Sequence, residues 1–280
     1  MKHRPFVPLA LAALLAAPLA AHADPLSVFQ PAQVRAVSVS PADVRAIRSL
    51  PPLEAFGTVS GTRVPGVDEV TSASEAARDA GYALRLPAAV PGALAKDVHY
   101  EVTQRARTSF TFSQAKAAAW ARDHKVALHP LPGGLDGATY TATLRPIAVV
   151  TYGKLPHKRT RHAPPASSFL AVVQAPLPTI TSSGAPLRAL TDWFAAQPGI
   201  SPRLVAQIKA LGDPAQTLPI PVRFNEQTAA KISVDGVQGL AIGDETGIGT
   251  AIVWTKDGKL YAVAGTFPQS EVLALANGLK

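Results

Sequence analysis

The 280-residue chain carries 27 Lys and Arg against 19 Asp and Glu, a formal net charge of +8, with 26 Pro, 20 Gly and no Cys. The missing thiol excludes disulfide frameworks, cysteine-ligated zinc or iron–sulfur centres and cysteine nucleophiles. At 47% hydrophobic and only 16% charged, the composition is that of a chain able to bury a core, far from the polar, highly charged profile of disorder.

Met1 to Ala23 opens with Lys2, His3 and Arg4, continues as an apolar stretch from Phe6 to Ala21 and ends in the small-x-small sequence Ala21-His22-Ala23. That order predicts a secretory signal peptide cleaved after Ala23. Pro5, Pro8 and Pro18 interrupt the apolar stretch, which therefore falls short of the roughly 20 apolar residues of a spanning helix. No Cys is present to carry a lipid anchor. The expected location is periplasmic or extracellular, with no transmembrane segment in the mature chain.

Val34, Val37 and Val39 predict a short strand over Gln33 to Val39, and Ser40-Pro41 supplies an N-cap and first-turn residue for a helix running to Leu50. Ser72-Ala-Ser-Glu75 is a capping box for a helix ending at Gly81, followed by an expected strand from Tyr82 to Leu86 closed by Pro87. His99 to Gln104 and Thr108 to Phe112 alternate as strands. Ser113 caps a helix to His124, with Ala117, Trp120, Ala121 and His124 at the spacing of one buried face. Further strands are expected at Ala138 to Leu144, Ile147 to Tyr152 and Phe169 to Gln174.

A dense basic, proline-rich run follows at 154–167, containing Lys154, Lys158, Arg159 and Arg161. It reads as a solvated connecting loop between an N-terminal half, 24–153, and a C-terminal half, 168–280, which form either one extended domain or two tightly joined halves. Its cations are candidate contacts for an anionic surface or an acidic partner. Nucleic acid is not an expected partner, because the chain is exported and no aromatic residue interleaves with the charges to stack bases.

Leu187, Leu190 and Phe194 form one face of a helix ending near Pro198, with Trp193 beside them. Ser201-Pro202 starts another, carrying Leu204, Ile208 and Leu211. Asp235-Gly236 and Asp257-Gly258 each lie between alternating apolar runs, the pattern of tight hairpins. Two hairpins in series predict an antiparallel meander, closed by a last helix with Val272, Leu275, Ala276 and Leu279 on one side.

Sequence signatures of the nucleophile elbow, the zinc proteases, the phosphate-binding loop and the EF-hand are absent. Gly247-Ile-Gly249 lacks a third glycine, since Ile252 occupies its place. His124 and His129 have no helical spacing and no accompanying carboxylates, so no metal site is expected there. Asp244-Glu245 reads as a turn, and Trp254 as a core anchor.

Several segments resemble an uncharacterised extracytoplasmic domain family. These are Leu53-Glu-Ala-Phe-Gly57, Ser74-Glu-Ala-Ala77 with Gly81-Tyr-Ala-Leu, Pro198-Gly-Ile-Ser-Pro202, Thr217-Leu-Pro-Ile-Pro-Val222, Ile252-Val-Trp254 and Tyr261-Ala-Val-Ala-Gly265. That family occurs in anti-sigma-factor-like proteins and envelope lipoproteins of bacteria and is similar in style to the RseB and lipoprotein-carrier class. The resemblance implies a curved antiparallel sheet and covering helices around an apolar, lipid-accepting groove.

The expected fold is α+β: a curved, half-barrel-like antiparallel sheet with covering helices and a C-terminal double-hairpin meander closed by a helix. The expected function is that of an exported, non-enzymatic envelope protein that needs no cofactor. It binds a lipid-like or apolar ligand, or senses envelope state through a protein partner, with Leu190, Trp193 and Phe194 as a candidate lid. The alternatives are a secreted hydrolase whose site is assembled by the fold and a structural adaptor of the envelope.

Overall fold

A computed structural model describes residues 33–49, 51–62, 64–154, 168–197, 202–210, 217–223, 227–244 and 249–280. Along them run β1 (Gln33–Val39), α1 (Pro41–Ser49), a 3-10 turn (Leu53–Ala55), β2 (Gly57–Gly61), β3 (Val67–Val70), α2 (Ala73–Ala80), β4 (Val98–Thr103), β5 (Ala106–Phe112), α3 (Gln114–His124), β6 (Thr139–Leu144), β7 (Ala148–Gly153), β8 (Phe169–Pro176), β9 (Thr179–Ser183), α4 (Leu187–Ala195), α5 (Pro202–Lys209), β10 (Thr217–Arg223), β11 (Gln227–Val234), β12 (Val237–Asp244), β13 (Thr250–Lys256), β14 (Lys259–Gly265) and α6 (Gln269–Asn277). The protein is α+β, and among the described residues its sheets are open, none closing into a barrel.

The chain divides into two compact units that interleave in sequence: the described residues of 1–63, 107–143 and 178–224 form the first, and those of 64–106, 144–177 and 225–280 the second. This partition differs from a sequential division at 154–167. It arises because each unit's strands find their hydrogen-bonding neighbours in distant parts of the chain.

In the first unit a four-stranded sheet has the order β2-β5-β6-β9. Side chains alternate between its faces, as strand geometry requires. Phe110, Phe112, Tyr140 and Ile180 lie on the buried face. Gly57, on the edge strand, comes so close to the Phe110 ring and the Thr111 carbonyl that an added Cβ would lie 2.5 and 2.2 Å from them. A separate parallel pair joins β1 to β10, with Val34 opposite Leu218 and Val37 opposite Pro221. α1 starts in a reciprocal cap, the Asp43 N–H donating to Ser40 Oγ at 3.1 Å and the Ser40 N–H to Asp43 Oδ2 at 2.9 Å.

The second unit is built on an eight-stranded sheet of order β11-β12-β13-β14-β8-β7-β4-β3, antiparallel throughout. The expected hairpins close at Asp235-Gly236, with φ of 51° and 75°, and at Asp257-Gly258, with φ of 49° and 69°. Two successive positive φ angles give a two-residue turn whose twist matches that of the strands it joins. α6 packs on β13 and β14, burying Val272 and Ala276 among Trp254, Val263 and Ala241. α2 buries Ala76 and Ala80 against Val102 and Ala148. Its Ser72 cap accepts from the Glu75 N–H at 3.2 Å, and the Glu75 carboxylate reaches back to the Thr71 N–H at 2.9 Å.

Two local expectations are corrected. Tyr82 to Leu86 is not a strand: the Arg85 N–H and carbonyl bond the side chain of Gln174 at 2.9 and 2.7 Å, and Leu86 exchanges backbone bonds with Lys280. Those partners take the place of a neighbouring strand for the backbone groups of Arg85 and Leu86. On α3 only Ala117 is buried; His124 is exposed and its ring lies over Trp120, 4.5 Å between centroids.

Candidate functional site

The two faces of the eight-stranded sheet are chemically distinct. Residues directly opposite each other on neighbouring strands share a face, so Trp254, Tyr261, Val263, Val172 and Val150 belong to the side that α2 and α6 cover. The other side carries a row running through Leu240, Val253, Ala262, Val173 and Val149, each across from the next. Beside it runs a second row of Ile242, Ala251, Ala264 and Ala171.

These rows are apolar and low in profile. Leu240 and Val253 are buried, while the other seven members of the two rows are partly exposed. One row further along the same face Thr255, Leu260 and Ala175 are buried as well, so this face is apolar and partly covered over its central strands. The first row spans about 19 Å at the usual strand spacing. Charge bounds it at both ends: Lys231 lies across from Leu240, and Glu101, itself across from Glu69, lies across from Val149.

Elsewhere in this unit Asp235 and Tyr82 are held in structural contacts. The Asp235 carboxylate accepts from Arg85 and from Lys256 Nζ, the latter at 3.0 Å. The hydrogen bond from Arg85, with the lesser contribution of Lys256, holds its carboxyl at about 2 against the usual 3.8. Burial pushes the Tyr82 hydroxyl up to about 12, and that hydroxyl donates to the Gln174 carbonyl at 2.6 Å. A carboxylate clamped between two cations does not serve as a general acid near neutral pH. Among the described residues no group of three or more His, Asp or Glu side chains is placed to hold a metal ion.

The residues singled out from the sequence lie elsewhere. Leu190 and Trp193 are buried in the first unit, and Phe194 is partly buried. The Trp193 ring meets Phe56, Phe112 and Phe194 edge-on at 5.1 to 5.7 Å, and its indole N–H donates to the His129 carbonyl at 3.1 Å. The structure thus brings Trp193 and Phe194 together as members of an aromatic core. Lys154 is exposed. Lys158, Arg159 and Arg161 lie outside the described residues, as do the segment Met1 to Ala23, Leu211 and the side chains of Leu204 and Ile208. Trp254 is wholly buried and stacked on Tyr261, 5.4 Å between centroids.

No family model, curated protein or solved structure matches the chain. No helix among the described residues is long and apolar enough to cross a membrane.

Proposed function

We propose that the protein is an exported, non-enzymatic envelope component that binds an acyl-chain ligand on the face of its eight-stranded sheet that points away from α6, along the partly exposed part of its apolar rows. The observation that carries this reading is the double row centred on Ala262, Ala264, Ala171 and Val173, apolar and partly exposed. Small side chains leave room for a chain to lie flush along the rows, where each methylene removed from water contributes about 0.8 kcal/mol. Glu101 at one end and Lys231 at the other keep the apolar strip finite and give a polar headgroup a place to rest. In this reading the sheet curves like a half-barrel about the ligand, in keeping with the resemblance to the lipoprotein-carrier class.

Native mass spectrometry of the protein purified from its own envelope tests the reading. Acyl-bearing adducts on the wild type that disappear in Ala264→Glu support it. Their consistent absence from the wild type removes it.

A further inference from the structure

The exposed face of the four-stranded sheet in the first unit has a composition of its own. Its register aligns Thr58 with Thr111 and Thr139 with Ser183, and the Thr111 and Thr139 hydroxyls bond each other at 2.8 Å, which makes a row of four hydroxyls across four strands. Ser60, Ser109, Thr141 and Thr181 form a second such row, joined at its centre by a 2.9 Å bond between Ser109 and Thr141. All eight side chains are exposed or partly exposed. Neither row contains a charge. Arg107 stands beyond the second row, and Lys116 approaches from α3, with its Nζ 3.2 Å from Thr58 Oγ1.

The affinity of threonine for strands explains threonine here. It does not explain why a solvent-facing sheet of four strands lacks the Lys and Glu that such faces ordinarily carry. We propose that this hydroxyl grid binds a neutral, extended β-1,4-linked glycan.

A hydroxyl both donates and accepts, with one proton and two lone pairs. Each bonded pair therefore keeps one free donor and three free acceptor positions, and the pairing polarises what remains. Sugar hydroxyls offer the same dual chemistry. Neighbouring strands lie about 4.8 Å apart, close to the advance per sugar in an extended β-1,4 chain, so a glycan laid across the strands meets one column of hydroxyls with each sugar. The threonine methyl groups between them match the C–H faces of the pyranose rings.

The same features exclude other ligands. Among the described residues a polyanion has no line of cations to neutralise it, and an acyl chain would strip water from eight hydroxyls without replacing their hydrogen bonds. This inference stands on a different sheet from the acyl-binding face and does not depend on it.

Titration calorimetry of the full chain with soluble hexasaccharides of β-1,4-linked glucose and N-acetylglucosamine tests it, with α-1,4-linked maltohexaose and dextran sulfate as comparisons. The expected result is binding of a β-1,4 hexasaccharide, weaker binding of maltohexaose, and a roughly 3- to 10-fold loss of affinity in each of Thr111→Val and Thr141→Val, as removal of one hydrogen bond predicts. Valine keeps the shape and the strand preference, and unchanged thermal unfolding of both variants shows that the fold is intact. An absence of binding to both β-1,4 sugars at millimolar concentration, preference for dextran sulfate, or equal affinity in both folded valine variants overturns the proposal.

Discussion

Arg85 and Asp235, 150 residues apart in the chain, meet in a two-point ion pair, Nη1 with Oδ2 and Nη2 with Oδ1 at 3.3 Å. Arg85 also donates to the Leu279 carbonyl at 2.8 Å, and the Asp235 N–H donates to Asn277 Oδ1 at 2.7 Å. One charge pair thus joins the β11–β12 turn, the segment before β4 and the end of the chain. Because the folded state lowers the Asp235 pKa to about 2 from 3.8, the pair's stabilisation is fully present above pH 4 and is lost as pH falls toward 2. Asp235→Asn, which tolerates the positive φ of the turn, is expected to lower stability by about 1–3 kcal/mol at pH 7. Urea unfolding from pH 7 to pH 2 checks this: the difference between wild type and variant shrinks as the pH drops through that window.

Gly57→Ala is expected to destabilise the first unit by about 1–3 kcal/mol, since its Cβ would enter the Phe110 ring and the Thr111 carbonyl and force them off their packing. Gly92 meets nothing among the described residues within 4 Å of the same added atom, so Gly92→Ala serves as the control and leaves the thermal midpoint within a degree or two. Differential scanning calorimetry of the two variants makes the comparison.

Tyr140 is buried on the inner face of the four-stranded sheet, and its hydroxyl has no hydrogen-bond partner among the described residues. Desolvation pushes its pKa up to about 12. A buried, unpaired hydroxyl costs about 1–3 kcal/mol, so Tyr140→Phe is expected to raise the thermal midpoint. A fall in the midpoint would mean that the hydroxyl makes a bond that the fold needs.

Trp193 separates a core role from a lid role. Trp193→Phe keeps most of the ring area and loses the bond to the His129 carbonyl, for an expected loss of about 1 kcal/mol in urea unfolding. As a core residue it leaves acyl-ligand affinity unchanged. As a lid it would weaken affinity without lowering stability.

Local signals carried much of this fold. Asp235-Gly236 and Asp257-Gly258 announced both terminal hairpins, because few other residue pairs accept two positive φ angles in succession. Ser72 and Glu75 announced α2 in the same way. The pairing of β1 with β10 left no local trace: Gln33 bonds Thr217 across 184 residues, and its partner strand includes Pro219 and Pro221, which argue against a strand when read alone. Interleaving of the units is hidden for the same reason. At the candidate acyl site, each strand reads as a buried run; only the register reveals that Ala262, Val173 and Val149 share a face away from α6. The hydroxyl rows were visible as Thr139-Tyr-Thr-Ala-Thr143 and Thr179-Ile-Thr181, yet alternation within one strand says nothing about what stands across from it.

The central claim is that an acyl chain lies on the face containing Ala264 and Ala171. Titration of the full chain with a fluorescent fatty-acid probe, comparing wild type with Ala264→Glu, tests it most directly. Saturable binding by the wild type and at least a 10-fold weaker response in the folded glutamate variant is the predicted result. Equal probe binding by the two proteins, or none by the wild type, would contradict it.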